Sequence, residues 1–277
     1  MKNPLRKRLL RELKNDIGKY LVIFLFMTAT IGFVSGFLVA DESMLYAYDE
    51  SFEKYNVENG NFTTEQKLTD NQRTRLEKEK VTIYENFYKD EDADTDLDSE
   101  PESTIRLFKN RTEVNLVCLM KGEMPQQKDE IAIDRMYADN NGLQVGDVIS
   151  VDKKELTVTG LVALSDYSAL FSNSSDMMFD AVKFGVGIMT EEGYDAITDD
   201  HIKYCYSWKY DTEPKDENEE KEWSDDFVEV LAAHSSLTGY LPRYGNQAIK
   251  FTGDDMGGDK AMVEILLSVS YTHLTLP

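Results

Sequence analysis

The chain has 277 residues, 52 acidic against 30 basic, for a net charge of −22. That balance excludes nucleic-acid binding, which needs a basic surface to meet phosphate. Two cysteines are too few for a disulfide scaffold, and aromatic and β-branched residues in short alternating blocks exclude a disordered acidic tail.

Residues 1–19 carry seven basic side chains, Lys2, Arg6, Lys7, Arg8, Arg11, Lys14 and Lys19, against Glu12 and Asp16. The flank is therefore +5, and everything after it sums to −27. Leu5, Leu9, Leu10, Leu13 and Ile17 recur at helical spacing among these charges. The pattern predicts an amphipathic helix on the inner membrane surface with its lysines near anionic lipid. A solvated basic flank with incidental leucines is the alternative.

Residues 20–40, YLVIFLFMTATIGFVSGFLVA, hold no charged side chain. At about 1.5 Å per residue this run spans roughly 31 Å, the thickness of a bilayer's hydrocarbon core. Basic residues beside a span stay cytoplasmic, so the amino terminus is expected inside and residues 41 onward outside. A cleaved signal peptide is the rival reading, against which stand the length of the run and Leu38 where a small residue is needed. Gly32 and Gly36 form a G-x-x-x-G with Thr28 and Ala29 one turn earlier, a pattern that lets helices pack closely but also recurs by chance in spans.

A stalk helix is expected to continue the span over 41–58, striped by Met44, Leu45, Tyr48, Phe52 and Tyr55 and broken at Asn59-Gly60. A short polar helix starts at Thr69 or Asp70 and runs to Lys78, and Val81 to Tyr88 alternates as a strand. The acidic run Asp90 to Glu102 predicts a solvated, mobile loop. It fails as a calcium loop: counting from Asp92, position six is Leu97 rather than Gly and position twelve is Ser103 rather than Glu.

Strands follow at Thr104–Lys109, Glu113–Met120 and Glu130–Ile133, then a helix from Asp134 to Asn141 closed by Gly142. A hairpin pairs Val145–Val151 with Glu155–Ala163. Ala181–Met189 is a strand, Glu191–Ile197 a helix and Lys203–Tyr210 an aromatic strand. A second acidic run, Asp211 to Glu222, leads into an amphipathic helix with Trp223, Phe227, Val230 and Leu231 on one face. Gln247–Thr252 reads as a strand, and after Gly253–Gly258 a helix over Asp259–Leu267 turns apolar, as if returning to a membrane.

Cys118 and Cys205 both fall outside the span, where a disulfide is allowed and free buried thiols are the alternative. There is no G-x-x-x-x-G-K-[ST] phosphate loop, so the chain is not expected to be an ATPase, and no His, Cys or Asp cluster has metal spacing. His201 and His234 are isolated, and Ser174-Ser175 and Ser235-Ser236 lack a nucleophile-elbow context. Sequons at Asn61, Asn110 and Asn173 matter only in a eukaryotic secretory route. No catalytic residue, cofactor site or metal site is expected, and the chain is not expected to be an enzyme.

The final nine residues, Val269 to Pro277, abandon the pattern of the preceding helix and are expected not to continue it. VSYTHLTLP resembles a translated transposon mosaic end and primer of the kind used to prepare fragment libraries. The natural gene is therefore expected to continue, with a natural short tail as the alternative. Codons other than GTC-TCT-TAT-ACA-CAT-CTG-ACG-CTG-CCG across the segment exclude the adapter. His273 is accordingly left out of any site.

Two segments carry a family resemblance. KNPLRKRLLRELKNDIGKYLVIFLFMTATIGFVSGFLVADESM resembles the start of FtsX-like ABC-transporter permeases of Firmicutes. EIAIDRMYADNNGLQVGDVISVDKKELTVTGLVAL, Glu130 to Leu164, resembles the MacB-like periplasmic core domain, with its turn at Gly142, Leu143, Gln144, Val145, Gly146 and Asp147.

The resemblance implies an α+β chain: a cytoplasmic helix over 1–19, a transmembrane helix over 20–40, a stalk over 41–58 and an extracellular core domain over 59–252. A helix over 253–268 would return towards a second span, before the foreign segment 269–277. It further implies the amino-terminal part of a permease in a bacterial plasma membrane, for export or mechanotransmission. The implied partners are the bilayer, a second permease subunit or copy, and a separate cytoplasmic ATPase that binds the ATP. A single-pass, membrane-anchored extracellular sensor or ligand-binding domain is the alternative.

Overall fold

The computed structural model describes residues 14–198 and 202–275. The expected basic lead-in helix lies almost wholly outside these residues, as does His201. The chain divides into two compact units, one of residues up to Tyr48 and from Gly253 onward, the other of Asp49–Thr252.

In the first unit, helix α1 (Ile17–Lys54) is long and apolar enough to cross a membrane. Its Thr30 and Ser43 hydroxyls donate back to the Phe26 and Val39 carbonyls at 2.9 and 2.7 Å, so neither is left unsatisfied in apolar surroundings. As far as Tyr48, its less exposed residues are Val34, Leu38, Asp41, Leu45 and Tyr48, spaced three and four apart as one helix face.

The second long helix (Gln247–Thr275, 29 residues) replaces the expected strand at Gln247–Thr252, the glycine break and the separate helix Asp259–Leu267. Asn246 starts it, its Oδ1 accepting from the Ala248 amide at 3.1 Å. A glycine costs a helix about 1 kcal/mol against alanine and does not by itself end one. The helix also runs through 269–275, where a break was expected. β-Branched residues lower propensity by only tenths of a kcal/mol each, too little to stop a helix already propagating.

In Asp49–Thr252, α1 ends in a Schellman motif rather than at Asn59-Gly60. Asn56 turns left-handed (φ 46°), Asn56 N–H reaches the Glu53 carbonyl at 3.2 Å and Val57 N–H the Phe52 carbonyl at 2.9 Å. There follow β1 (Gly60–Thr64), α2 (Asp70–Leu76), β2 (Val81–Glu85), β3 (Tyr88–Asp94), β4 (Ser103–Lys109), β5 (Val117–Gly122), β6 (Glu130–Asp134) and α3 (Arg135–Asn141). Then come β7 (Val148–Val151), β8 (Lys154–Leu164), β9 (Phe184–Met189), α4 (Glu191–Ala196), β10 (Ile202–Tyr210), α5 (Glu217–His234), β11 (Leu237–Pro242) and the long helix, α6. The fold is mixed α+β.

The strands run β11-β1-β10-β3-β4-β9-β6-β8-β5, with β4/β9 and β6/β8 parallel. Strand β10 joins two halves: its start pairs with β3, and its remainder is flanked by β1 and β2. Each half has its own core. The larger is built on Ile105, Leu107, Ile131, Ile133, Val158, Val186 and Ile188, covered by Tyr137 and Tyr194. The smaller is aromatic, with Phe62, Tyr206, Trp208 and Phe227 around Leu76, Ile83 and Leu231.

The acidic run is not a loop throughout. Its first part is strand β3, with Asp90 opposite Arg106 and with Glu91 and Asp94 buried, because pairing with β4 and a charge partner overrides the low strand propensity of Asp and Glu. The strand expected over Val81–Tyr88 is two strands, and β5 begins only at Val117, after Asn115 at φ 50°. Helix α5 starts inside the second acidic run. Asp216 Oδ1 accepts from the amides of Asn218 and Glu219 at 2.9 and 3.0 Å, and the acidic first turn suits the helix dipole.

Thr69 caps α2 with a capping box: its amide donates to Gln72 Oε1 at 3.0 Å while its Oγ1 accepts from the Gln72 amide at 3.4 Å. Thr69→Ala will cost about 1 kcal/mol in denaturant unfolding, and an unchanged midpoint refutes a stabilising cap.

Candidate functional site

The glycines of the span and the turn of the core domain lie in different units. Gly32 and Gly36 face away from the less exposed side of α1, and a Cβ added at either meets nothing within 4 Å. On the opposite side, the Tyr48 ring sits so close to Gly253 that an added Cβ would overlap it.

The turn is a structural clasp. Gly142 ends α3 at φ 70°, a left-handed conformation suited to glycine. Leu143 is buried in the larger core. Asp147 Oδ2 accepts from the Gln144 amide at 2.7 Å, and Gly146, at φ 101°, donates to the Val158 carbonyl at 2.8 Å. Val145 lies over Gly122, where an added Cβ would come within 3.0 Å of its Cγ2. These residues tie α3 to β7 and β8 and present no reactive group.

Asp134 caps the other end of α3, accepting from the Met136 and Tyr137 amides at 2.7 and 3.2 Å. Burial pushes its carboxyl up to about 6, with the two amides pulling the other way. The folded state therefore holds an extra proton between the unfolded value of 3.8 and about 6, and stability falls as pH rises through that window. Asp134→Asn keeps the cap and removes the buried charge, so it will stabilise the protein by about 2 kcal/mol at pH 8. The gain should fade by about pH 4; a gain independent of pH in urea unfolding would refute this origin.

The charged heart of the domain is a polar seam between the two cores. Glu58, only 2% exposed, takes donors from three side chains: Ser207 Oγ, Asn115 Nδ2 at 2.8 Å and Asn61 Nδ2 at 2.6 Å. Asn115 Oδ1 in turn accepts from the Glu58 amide at 2.9 Å, and Asn86 reaches Ser207 at 3.1 Å. Every member has a partner, the condition under which a buried polar network fixes a unique arrangement.

Two arginines complete the seam. Arg106 presents Nε and Nη2 to the two oxygens of Asp90 at 2.7 and 2.8 Å, with Nη1 on the Tyr167 hydroxyl at 3.0 Å. Its guanidinium lies 4.2 Å from the Tyr88 ring centre. Burial works against the Arg106 charge, but Tyr167 and Asp90 hold its pKa well above the ordinary value. Arg111 donates through Nη1 to both oxygens of Asp166 at 2.9 and 2.7 Å.

Burial pushes Asp166 up to about 6 despite Arg111 beside it, and pushes Tyr88 up to about 12. It raises the Cys205 thiol as well. Cys205 and Cys118 are both free. A cavity of about 300 Å³ opens on the seam, lined by Glu58, Asn86, Arg106, Asp166 and Tyr167.

Apart from the two cysteines and Asn61, named as a sequon, none of these residues was singled out from the sequence. The available signals were Arg106 inside the apolar strand TIRLF and the scattered asparagines Asn61, Asn86 and Asn115, whose meaning depends on partners far along the chain.

In the acidic run, one carboxylate oxygen each from Asp94, Asp96, Asp98 and Glu102 lie within 4.8 Å of one another, oxygen ligands of the kind calcium takes. Asp94 accepts from the Leu97 and Ser99 amides and Glu102 from the Thr95 amide, so these carboxylates also close the loop on itself. His234 closes α5, its carbonyl accepting from Gln72 Nε2 at 2.9 Å.

No protein-family profile matches the chain, and no curated protein does. Among solved structures it is similar to the periplasmic region of MacB from Actinobacillus actinomycetemcomitans, at 12% identity over 70% of this chain and 90% of that one, with a TM-score of 0.40. It is similar to the extracellular domain of the noncanonic ABC-type transporter YknZ from Gram-positive bacteria, at 8% identity over 65% and 98%, TM-score 0.36. A putative lipoprotein from Bacillus anthracis matches at 10% identity over 66% and 96%, TM-score 0.34.

Proposed function

We propose that this chain belongs to a membrane-spanning permease subunit of an ABC transporter, of FtsX-like type, which couples a separate cytoplasmic ATPase to an extracellular domain. One observation carries the reading. The folded unit Asp49–Thr252 is inserted between two long helices, and the parts of those helices beyond it fall together in one unit, with Tyr48 set against Gly253. A domain whose two ends both lead into helices of one bundle can be moved by that bundle. A tether needs only one helix. The basic flank before α1 supports a cytoplasmic amino terminus.

Purification of the tagged chain from its native membrane tests this. An ATPase carrying the phosphate-loop motif will accompany it, and its loss on mild detergent extraction with the chain still folded would refute the coupling. Orientation has its own test. In a Cys118→Ser background, Met177→Cys, at a side chain 96% exposed, will react with an impermeant maleimide in intact cells. Lys2→Cys will react only after lysis, and the reverse pattern would overturn the topology.

The second reading, a single-pass anchored sensor, is favoured by α1 being the only helix long and apolar enough to cross a membrane among the described residues. It predicts a stable protein with no ATPase partner.

A further inference from the structure

Cys118 and Met120 alternate along β5, the strand at one end of the sheet order. The ladder with β8 slips between Leu119 and Lys121, which leaves Met120 as the extra residue of a bulge. Bulges re-aim side chains, and here a thiol and a thioether meet: Cys118 Sγ lies 3.8 Å from Met120 Sδ. In a regular strand, Cβ atoms two residues apart stand roughly 6.6 Å from each other, so the two sulfurs lean together. Neither residue is sealed in a core: Met120 is 54% exposed and Cys118 half-buried.

Two side chains at the end of α1 stand beside the thiol. Tyr55 hydrogen-bonds Cys118, which holds its hydroxyl pKa above the ordinary value. Lys54 hydrogen-bonds Tyr55 in turn, with Nζ 5.1 Å from the ring centre. An ammonium near a thiol favours the thiolate, the form that binds metals.

Thiolate and thioether are soft ligands, and together they select copper(I) over harder divalent ions. At metal–sulfur bonds of about 2.3 Å, sulfurs 3.8 Å apart subtend about 110° at a shared ion, so one fits between them with no change in their separation.

We propose that Cys118 and Met120 form a binding site for a soft monovalent metal ion of the copper(I) class. Binding forms a metal–sulfur bond to each side chain and breaks the Cys118 S–H bond, whose proton goes to solvent. No electron is transferred. One positive charge replaces another, so Lys54 does not oppose the exchange. A divalent ion would add charge beside that ammonium, with one anionic ligand to meet it. The site does not depend on the permease reading, because binding is measured on the chain alone.

The test uses the full chain in detergent, without oxygen and with ascorbate. Copper(I) is titrated in competition with bicinchoninate, whose coloured complex reports the copper left over. The wild-type chain should take one equivalent, and Cys118→Ser should abolish that binding. Met120→Leu, which keeps the volume at an exposed position and removes the sulfur, should weaken it at least about tenfold. Met177→Leu, at an exposed methionine of another loop, should change nothing. Excess zinc(II) should not displace the copper.

Failure of the wild-type chain to take copper overturns the proposal. So does Met120→Leu binding within about twofold of wild type, which would show a lone thiolate at work. Half an equivalent with dimerisation, two Cys118 thiolates then sharing one ion, overturns it too, as does displacement by zinc(II) or a loss at Met177→Leu as large as at Met120→Leu. If Cys118→Ser fails to fold, the comparison of Met120→Leu with wild type decides.

Discussion

Trp208→Ala will destabilise the Asp49–Thr252 unit by about 3–5 kcal/mol, the range for deleting a large buried aromatic. Trp208 is fully buried in the smaller core. Its ring stacks on Tyr240 at 5.0 Å with planes 8° apart and lies 5.4 Å from Phe227. Below it, Gly60 has no room for a side chain: an added Cβ would overlap the indole and come within 2.8 Å of the Leu241 carbonyl. The surroundings are pinned by the β1/β10/β11 ladder, so they cannot collapse into the space left behind. Trp223, half-buried on α5, is the control, and its alanine variant will cost less than half as much. Guanidinium unfolding of the full chain followed by circular dichroism measures both, and equal losses would show that the smaller core does not depend on the indole.

Asp166→Ala will also cost about 3–5 kcal/mol, for an electrostatic reason. It leaves Arg111 charged, buried and without its main acceptor. The pair itself is not a source of stability: burial pushes Asp166 up to about 6, so desolvation takes more than Arg111 returns. Replacing both partners by apolar residues, Arg111→Met with Asp166→Leu, will therefore recover most of the loss. A double variant as unstable as Asp166→Ala would show that the pair contributes net stability. Since Arg111 and Asp166 are 55 positions apart, the experiment also reads how firmly the loop after β8 is held to the β4–β5 segment.

What was legible in advance follows the range of the interactions involved. The α1 span, the Thr69 cap of α2, the Asp134 and Gly142 ends of α3 and the β7/β8 hairpin all rest on contacts within about a dozen residues. Strands β1 and β11 were missed because GNFTT and LTGYLP are short and carry glycine or proline; they become strands by pairing side by side, with Phe62 opposite Tyr206 on one edge and Tyr240 on the other. The acidic run was misread for the same reason: Asp90 is a strand residue only because Arg106 stands across from it. Of the candidate site, the turn residues were named and the charged seam was not.

By itself the sequence determined the apolar span, the charge asymmetry around it, the caps and the order of most elements, because a helix, a turn or an apolar run is specified by neighbours a few residues away. Only the tertiary structure decided that the segment after Asn246 is one continuous helix and that α1 keeps Gly32 and Gly36 off its less exposed face. It also decided that a carboxylate at Glu58 can be buried. That last choice depends on Asn115 and Ser207, 57 and 149 positions away, whose donors offset the desolvation of the charge only once the two cores have closed around them.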